Sequence, residues 1–489
     1  MQIRIGNYLF YFLLSFTLAG IVSSCGKLVQ VPASVNKIAS NSVYTTDATA
    51  IAVLTGIYTD MVNSNSTDGA YISGNGGISE LAGLSADEFT LYNGVTDLQH
   101  IGYYQNTLSA IQGTGSNFWS PLYNFIYRCN ATLEGLSAST SLTPGVKQQL
   151  QGEAKFLRAF FYFYLVNLFG DVPLTTSTDY TKNSLLTRSS KAQVYQQIIS
   201  DLKDAVALLS SNYLDPTLLK ITTERVRPSR WAAFALLSRT YLYTGDWIDA
   251  EADADSVVNN AGTYSLSPLR NAFLKNNPEV IWQLQPVTVG HNTEDGWIFI
   301  IPPTGPSNLN GPAGYPVYLS PQLLGSFEIN DQRRKIWVDS VKVSGTTYYF
   351  PYKYTSDTLN SPVREYLMVL RLGEQYLIRA EARAQQNNTL GSQSDLNSIR
   401  TRAGLLGATA TDQASLLTAI LHERQVELFT EWGHRWLDLK RTGTIDVVMN
   451  QVTPLKTNNV NPWQSYQQLY PILLNDLQKD PNLLQNSGY

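Results

Sequence analysis

Residues 228–258 read PSRWAAFALLSRTYLYTGDWIDAEADADSVV. After Pro228 and Ser229, Ala232, Ala235, Leu236, Leu237 and Tyr241 recur every three or four residues, Thr244-Gly245-Asp246 interrupts, and Trp247, Ala250, Ala254 and Val257 resume the period. Apolar residues so spaced share one face of an α-helix, which predicts two helices joined by a tight turn between Pro228 and Ala261. Counted from Leu237, Tyr241 stands four residues on, Gly245 eight, Ala250 thirteen, Ala254 seventeen and Val257 twenty. These offsets match a tetratricopeptide unit, whose small residues let its two helices pack closely. One such unit cannot bury its face alone, so the rest of the chain must supply more.

It does so on both sides. Ile51, Val53, Leu54, Ile57, Tyr58 and Met61 mark a first helix over 47–62. Leu150, Ala154, Leu157, Phe161, Tyr164 and Leu168 mark a long one bracketed by Pro144 and Gly170. Helical periodicity returns over 366–384, 395–402 and 414–439. Residues 63–77 and 262–360 differ: the first is rich in Asn, Ser, Asp and Gly, and the second carries Pro/Gly clusters at 302–306 and 311–316 with β-like runs at 280–284, 338–343 and 346–350. The fold class predicted is mainly α, a tetratricopeptide-like superhelix of about four helix pairs with a loop-rich layer containing short β-strands.

The N-terminus states where the protein works. Arg4 precedes an uncharged apolar run over 8–22, too short to span a bilayer comfortably, and Val22-Ser23-Ser24-Cys25 reads as a lipobox. This predicts a signal peptide over 1–24, a diacylglyceryl and N-acyl group (palmitate-type chains) on Cys25, a lipidated tether over 25–46 and a body over 47–489. The body divides into an N-terminal helical part (47–261), a loop-rich insertion (262–360) and a C-terminal helical part (361–489). Several acyl chains hold a protein to a membrane far more firmly than one. With Cys25 acylated, Cys129 is left as a lone thiol, read as a small buried apolar residue.

Composition narrows the function. The net charge is -4, 15% of residues are charged, and no basic block suggests nucleic acid. Four histidines leave little room for a histidine-built metal site. His422-Glu423 starts like a zincin helix, but Val426 stands where the second His belongs. The alternating acids Asp249, Glu251, Asp253 and Asp255 lack the glycine and closing Glu of a calcium loop, so no cofactor or metal is expected, structural calcium being the one alternative the sequence leaves. No nucleophile elbow, phosphate loop or dinucleotide fingerprint occurs. Glu427 and Glu431 could pass for a glycosidase pair. They alternate with Arg424, Arg435 and Asp438 at steps of three and four, and such interleaving holds carboxylates ionised, whereas a general acid needs a raised pKa. The five are read as one structural ion-pair ladder on a single helix, and the protein as not an enzyme.

Separated blocks of the chain resemble the SusD/RagB family of outer-membrane nutrient-uptake lipoproteins. They are Asp87-Glu88, the run from Glu153 to Leu174, Arg227-Pro228-Ser229-Arg230-Trp231, Asp246-Trp247, the segment from Arg371 to Ala382, His422 to Leu428 with Trp432 to Arg441, and the close from Leu469 to Tyr489. Ser487 replaces the usual Pro of that ending, and Gly26-Lys27-Leu28-Val29-Gln30 lacks the acidic cluster that often follows the lipidated cysteine in surface-exported relatives. The resemblance implies a glycan-binding lipoprotein at the cell surface. It would capture an oligosaccharide or other oligomeric nutrient and pass it to a partner, a SusC-like TonB-dependent β-barrel transporter.

Sugar rings offer an apolar C–H face and a rim of hydroxyls, so a site for them needs aromatic platforms beside amides. With 29 Tyr and 9 Trp the chain is well supplied. By position in the family, the candidates after Asp87-Glu88 are Tyr92, Asn93, Tyr103 and Asn106; the Pro/Gly-rich insertion itself offers Trp297 and Tyr315. Tyr103 and Tyr104 are adjacent and cannot share a face, so at most one points at ligand. Core packing is the alternative for any single ring. An envelope tetratricopeptide scaffold without small-ligand binding, and a glycan hydrolase on an all-α scaffold, are the other classes the sequence permits.

Overall fold

A computed structural model describes residues 43–63, 71–111, 114–115, 117–308 and 314–489. The lipobox with Cys25, the expected tether up to residue 42, and residues 64–70, 112–113, 116 and 309–313 lie outside the described residues.

The helices in the first half are α1 (Asp47–Val62), α2 (Ile78–Ser85), α3 (Leu98–Gln105), α4 (Trp119–Ala138), α5 (Pro144–Phe169), α6 (Tyr180–Asn183), α7 (Lys191–Leu208), α8 (Arg230–Thr244) and α9 (Trp247–Val258). The second half adds α10 (Glu294–Phe299), α11 (Pro321–Ser326), α12 (Gln332–Ile336), α13 (Leu372–Gln385), α14 (Thr389–Arg402), α15 (Gln413–Glu427), α16 (His434–Arg441), α17 (Ile445–Lys456) and α18 (Leu474–Lys479). A ladder forms as α4 packs on α5, α5 on α7, α7 on α8, α8 on α9, α9 on α13 and α13 on α14 and α15. These eight helices are the equivalent of four tetratricopeptide-like pairs. The α8–α9 turn falls where the sequence places it, with Gly245 at φ 79° in the left-handed region. Ala232, Ala235, Ala250 and Ala254 are fully buried where the helices of this part approach.

α5 is the axis of the core. From Phe156 to Phe169 every residue is buried, as expected of a helix packed on all sides. Phe160 meets the ring edges of Trp282 and Trp432, both at 5.5 Å. Pro144 opens α5 and Gly170, at φ 77°, closes it. Cys129 is buried on α4, where desolvation pushes its thiol up to about 12 and makes it a poor nucleophile.

The strands form three antiparallel pairs: β1 (Phe89–Leu91) with β3 (Val317–Leu319), β2 (Val280–Leu284) with β6 (Leu367–Arg371), and β4 (Val338–Val343) with β5 (Thr346–Pro351). β2 and β6 are buried throughout, which explains why their sequences do not alternate. The periodic run over 366–384 therefore opens as a strand and becomes helix only at Leu372.

The C-terminal part of the chain is tied to α2 and the residues just after it. The Lys456 ammonium donates to the carbonyls of Leu84, Ser85 and Ala86, capping that helix. The Ser85 and Tyr470 hydroxyls lie 3.0 Å apart, and Arg435 grips Asp87 with two bonds of 2.7 Å.

The predicted helix over 414–439 is two helices. α15 ends at Glu427 and α16 starts at His434; between them Thr430, Trp432 and Gly433 take φ values of 57°, 46° and 69°. Such values are costly for Thr and Trp. Here they are secured by Thr430 N–H to Glu88 Oε1 at 3.1 Å, Trp432 N–H to Ser79 Oγ at 3.0 Å and Trp432 Nε1–H to Met368 O at 2.7 Å. Gly433 is required twice over, since a Cβ there would also lie 2.8 Å from that of Ala82.

Candidate functional site

Asp87 and Glu88 fix the strand that leads to the site. Ser320 donates its Oγ–H to Asp87 O at 2.5 Å and its N–H to Glu88 O at 2.9 Å, which aligns β3 with β1. Register then pairs Phe89 with Leu319, Thr90 with Tyr318 and Leu91 with Val317. The pairing extends one bond further, from Tyr92 N–H to Pro316 O at 2.7 Å. Phe89, Val317 and Leu319 are buried, and Phe89 stacks on Phe299 at 5.2 Å. Alternation sends Thr90, Tyr92 and Tyr318 to the opposite face. All three are half-buried.

Beyond Tyr92 the chain turns back through Asn93, which is exposed, and Gly94, where a Cβ would lie 2.6 Å from the Tyr92 ring. Asn308 Nδ2 donates to Thr96 Oγ1 at 3.2 Å, and Ser307 Oγ accepts from Tyr315 N–H at 3.2 Å. The segments bearing Tyr92 and Asn93 and bearing Tyr315, more than 200 residues apart in sequence, thus run side by side at the end of the β1–β3 pair. Tyr318 continues the row and packs edge-on against Tyr348 at 5.2 Å. Tyr104, half-buried beside them, has the Lys456 ammonium 5.1 Å from its ring centroid. Burial raises the hydroxyl pKa of Tyr104 to about 12 and also raises those of Tyr315 and Tyr318, so these rings keep their O–H protons at neutral pH. The result is an open row of half-buried phenols with amides at its margin.

Trp297 lies on α10, half-buried, with its indole stacked on the His291 ring at 4.1 Å and 20°. His291 is in turn 3.3 Å from Glu294. Gly296 backs this helix onto Tyr354 and Ser356, a Cβ there falling 3.2 and 3.3 Å from them. Trp297 is thus a separate ring platform with its own support.

Two candidates are corrected. Tyr103 is fully buried, its ring 5.1 Å from Tyr470 and 6.3 Å from Phe118, because the apolar face of α3 turns it into the core. Asn106 is 4% exposed. At φ 55° it ends α3 in a left-handed cap, and its amide donates to Thr453 Oγ1 at 3.3 Å. Neither reaches a ligand. Sequence reading missed Tyr348 and His291. Tyr348 sits in the β-like run over 346–350 without any local sign of facing Tyr318. His291 gains meaning only from the indole above it.

The charged residues of the C-terminal motif are buried ion pairs, but not one ladder. Only Arg424 and Asp438 pair with each other, at 2.7 Å. Arg435 reaches Asp87, while Glu427 and Glu431 converge on Arg371 from β6, which gives Glu427 a bond of 2.6 Å, Glu431 bonds of 2.7 and 2.9 Å, and Glu279 one of 3.0 Å. Arg333 and Arg402 also serve Glu427, and Lys353 serves Glu431. Burial raises the pKa of both carboxyls, but Arg402 and Arg371 hold Glu427 well below the usual range, and Arg371 and Lys353 hold Glu431 below it. Neither suits the role of a general acid. Glu88 and Asp295 are raised by burial to about 8 and about 7, yet are 1% and 3% exposed and sealed from substrate.

Glu328, His422 and Glu423 bring ligand-type atoms within 4.8 Å of one another. Arg400 already binds both carboxylates at 2.5 and 3.1 Å, Arg333 lies 2.6 Å from Glu423, and His422 Nε2 is 2.8 Å from Ser326 O. These cations occupy the place a metal would need.

A tetratricopeptide-like helical ladder carrying a loop-built aromatic face defines the class. Comparison with known proteins places the chain within it. The family model described as "Starch-binding associating with outer membrane" matches residues 68–242, and the model of the SusD family matches residues 338–489. SusD-like protein P25 of Formosa agariphila is 27% identical over 432 residues, spanning 76% of this chain and 80% of that one. A solved structure described as a laminarin binding SusD-like protein superposes with TM-score 0.72 at 24% identity, covering 91% of this chain and 100% of the other. Surface glycan-binding protein A of Bacteroides uniformis gives TM-score 0.73 at 21% identity, over 90% and 99%. The chain belongs to the SusD/RagB family.

Proposed function

We propose that this protein is a non-catalytic, outer-membrane receptor that captures glycan chains on the tyrosine row built by β1 and β3. The observation that carries the reading is that the β1–β3 pairing carries Tyr92 and Asn93 alongside the segment bearing Tyr315 and Tyr318, with Asn93 exposed and the three rings half-buried, while Trp297 forms a separate platform. Half-exposed rings give a pyranose its apolar contact, and amides and phenolic hydroxyls meet its rim. The glycan-binding descriptions of structural neighbours support the ligand class. In this reading Cys25 carries the lipid, the body sits at the cell exterior, and the captured oligosaccharide passes to a SusC-like TonB-dependent transporter.

Affinity electrophoresis against neutral polysaccharides (laminarin, starch, xylan, galactomannan) tests the site. Tyr92→Ala and Tyr315→Ala should each weaken retardation about five-fold on the polysaccharide that retards the parent, the worth of roughly one ring contact. Unchanged migration of both variants refutes the site, and release of new reducing ends refutes the non-catalytic reading.

A further inference from the structure

Away from the tyrosine row, the α8–α9 pair carries a second arrangement suited to sugar. Trp231 stands in the first turn of α8, and the antiparallel α9 brings its last turns alongside. Ala252, Asp255 and Ser256 of α9, with Asn259 and Asn260 just after it, recur at steps of three and four, so they share one face. Together with the Trp231 indole they line a shallow, widely open surface depression of about 470 Å³. Its lining is a flat apolar ring opposite a hydroxyl, a carboxylate and two amides, the complement of one pyranose unit.

The site is built rather than incidental. Trp231 Nε1–H donates to Ser211 O at 2.9 Å, which fixes the plane of the half-buried indole, and Phe234 extends the aromatic surface at 6.1 Å. Arg379, 7% exposed, is locked by Asp395 through bonds of 2.9 and 2.6 Å. Its remaining nitrogen holds Asp255 Oδ1 at 2.6 Å and Asn259 Oδ1 at 3.2 Å. Both side chains are therefore oriented before any ligand arrives, which lowers the ordering cost of binding. Asp255 Oδ2 and the Asn260 amide make no hydrogen bond to the described residues, which leaves acceptors and donors for sugar hydroxyls. With a single large ring and a polar floor, the lining is poorer in apolar surface than the centre of a protein interface.

We propose that the Trp231–Asn260 concavity is a second carbohydrate subsite, which takes one neutral sugar unit of the glycan captured by the tyrosine row. The proposal rests on the glycan-binding reading for its ligand class, but on different residues. Two subsites on one chain raise polymer affinity through effective concentration, an advantage a short oligosaccharide lacks.

The test uses whichever of the four polysaccharides retards the parent, and a short oligosaccharide of the same linkage, with Trp231→Ala, Trp231→Phe, Asn260→Ala and a Tyr92→Ala/Tyr315→Ala double variant. Trp231→Ala and Asn260→Ala should weaken polymer binding about five-fold or more while leaving tight binding of the oligosaccharide unchanged. Trp231→Phe, which keeps a ring, should restore most of the loss and exclude a folding defect. Residual polymer binding by the double variant should fall about five-fold further when Trp231→Ala is added. Polymer binding unaffected by both Trp231→Ala and Asn260→Ala overturns this subsite and leaves the tyrosine row standing. The reverse pattern overturns the row and keeps the subsite. Retardation by none of the four polysaccharides, or loss only of a protein partner on Trp231→Ala, overturns the subsite.

Discussion

Replacing Arg371 by Met tests the buried charge network most directly. Arg371 neutralises part of a cluster in which Glu279, Glu427 and Glu431 face Arg333, Arg402 and Lys353, all of them buried or nearly so. Arg333 is also shared with Asp331 and Glu423, so methionine, which fills similar volume, leaves the buried carboxylates in excess, a loss of about 3–5 kcal/mol when one partner of a buried pair is removed. For a chain of 489 residues the unfolding entropy at the midpoint is about 1 kcal/mol/K, so the melting temperature should fall by about 3–5 °C. Adding Glu431→Gln removes the orphaned charge and should recover part of the loss, because Lys353 keeps the carbonyls of Glu427 and Phe429 at 2.9 and 2.8 Å. Acid adds a second readout. Arg371 and its neighbours hold the Glu427 and Glu431 pKa values below 4.5, so their contribution is fully present above that pH and is lost as pH falls through the folded-state values. The parent's stability should thus drop more steeply below pH 4.5 than that of Arg371→Met. Calorimetry from pH 3 to 7 makes the comparison. A shift under 1 °C, or a double variant that merely adds the two single losses, refutes the network as described.

Cys25→Ala should move the protein from the membrane fraction to the soluble fraction and abolish metabolic labelling with palmitate; retained label rejects the anchor. Glu88→Gln should be tolerated at pH 5 and gain on the parent as pH rises to 8. The folded-state pKa of about 8 means that folding holds a proton the unfolded carboxyl releases near 4.5, so the parent loses stability across that interval and the amide does not. Equal pH slopes in chemical denaturation would refute this. Gly433→Ala should cost about 1–3 kcal/mol from backbone strain, before the contact with Ala82 is counted. An unchanged melting temperature would show that the turn between α15 and α16 yields to a side chain.

Legibility followed the range of each interaction. The α8–α9 hairpin, α1 and α5 could be read because period, cap and breaker lie within a few residues of one another. Strands β4 and β5 were readable for the same reason, being joined by Ser344 and Gly345, both at positive φ. The α15–α16 break was hidden, since Leu428, Trp432 and Trp436 keep helical spacing across it and the bonds that hold its unusual backbone come from Glu88, Ser79 and Met368. Residues 366–371 looked like the first turns of a helix because their strand partners, such as Val280 opposite Arg371, lie far back in the chain. At the site, positional likeness pointed to Tyr92 and Tyr103 alike; Tyr92 is half-buried, whereas the inward turn of Tyr103 depends on which face of α3 meets Tyr470, and no spacing rule decides that.

The ties around α2 bear on when the ligand face can exist during synthesis. Asp87 waits 348 positions for Arg435, Leu84 waits 372 for Lys456, and Ser85 waits 385 for Tyr470. Closing such loops is the slow step of a topology rich in distant pairings. An emerging N-terminal fragment can therefore stack its early helices but cannot anchor the strand bearing Tyr92, so the tyrosine row is assembled only once the C-terminal part is in place.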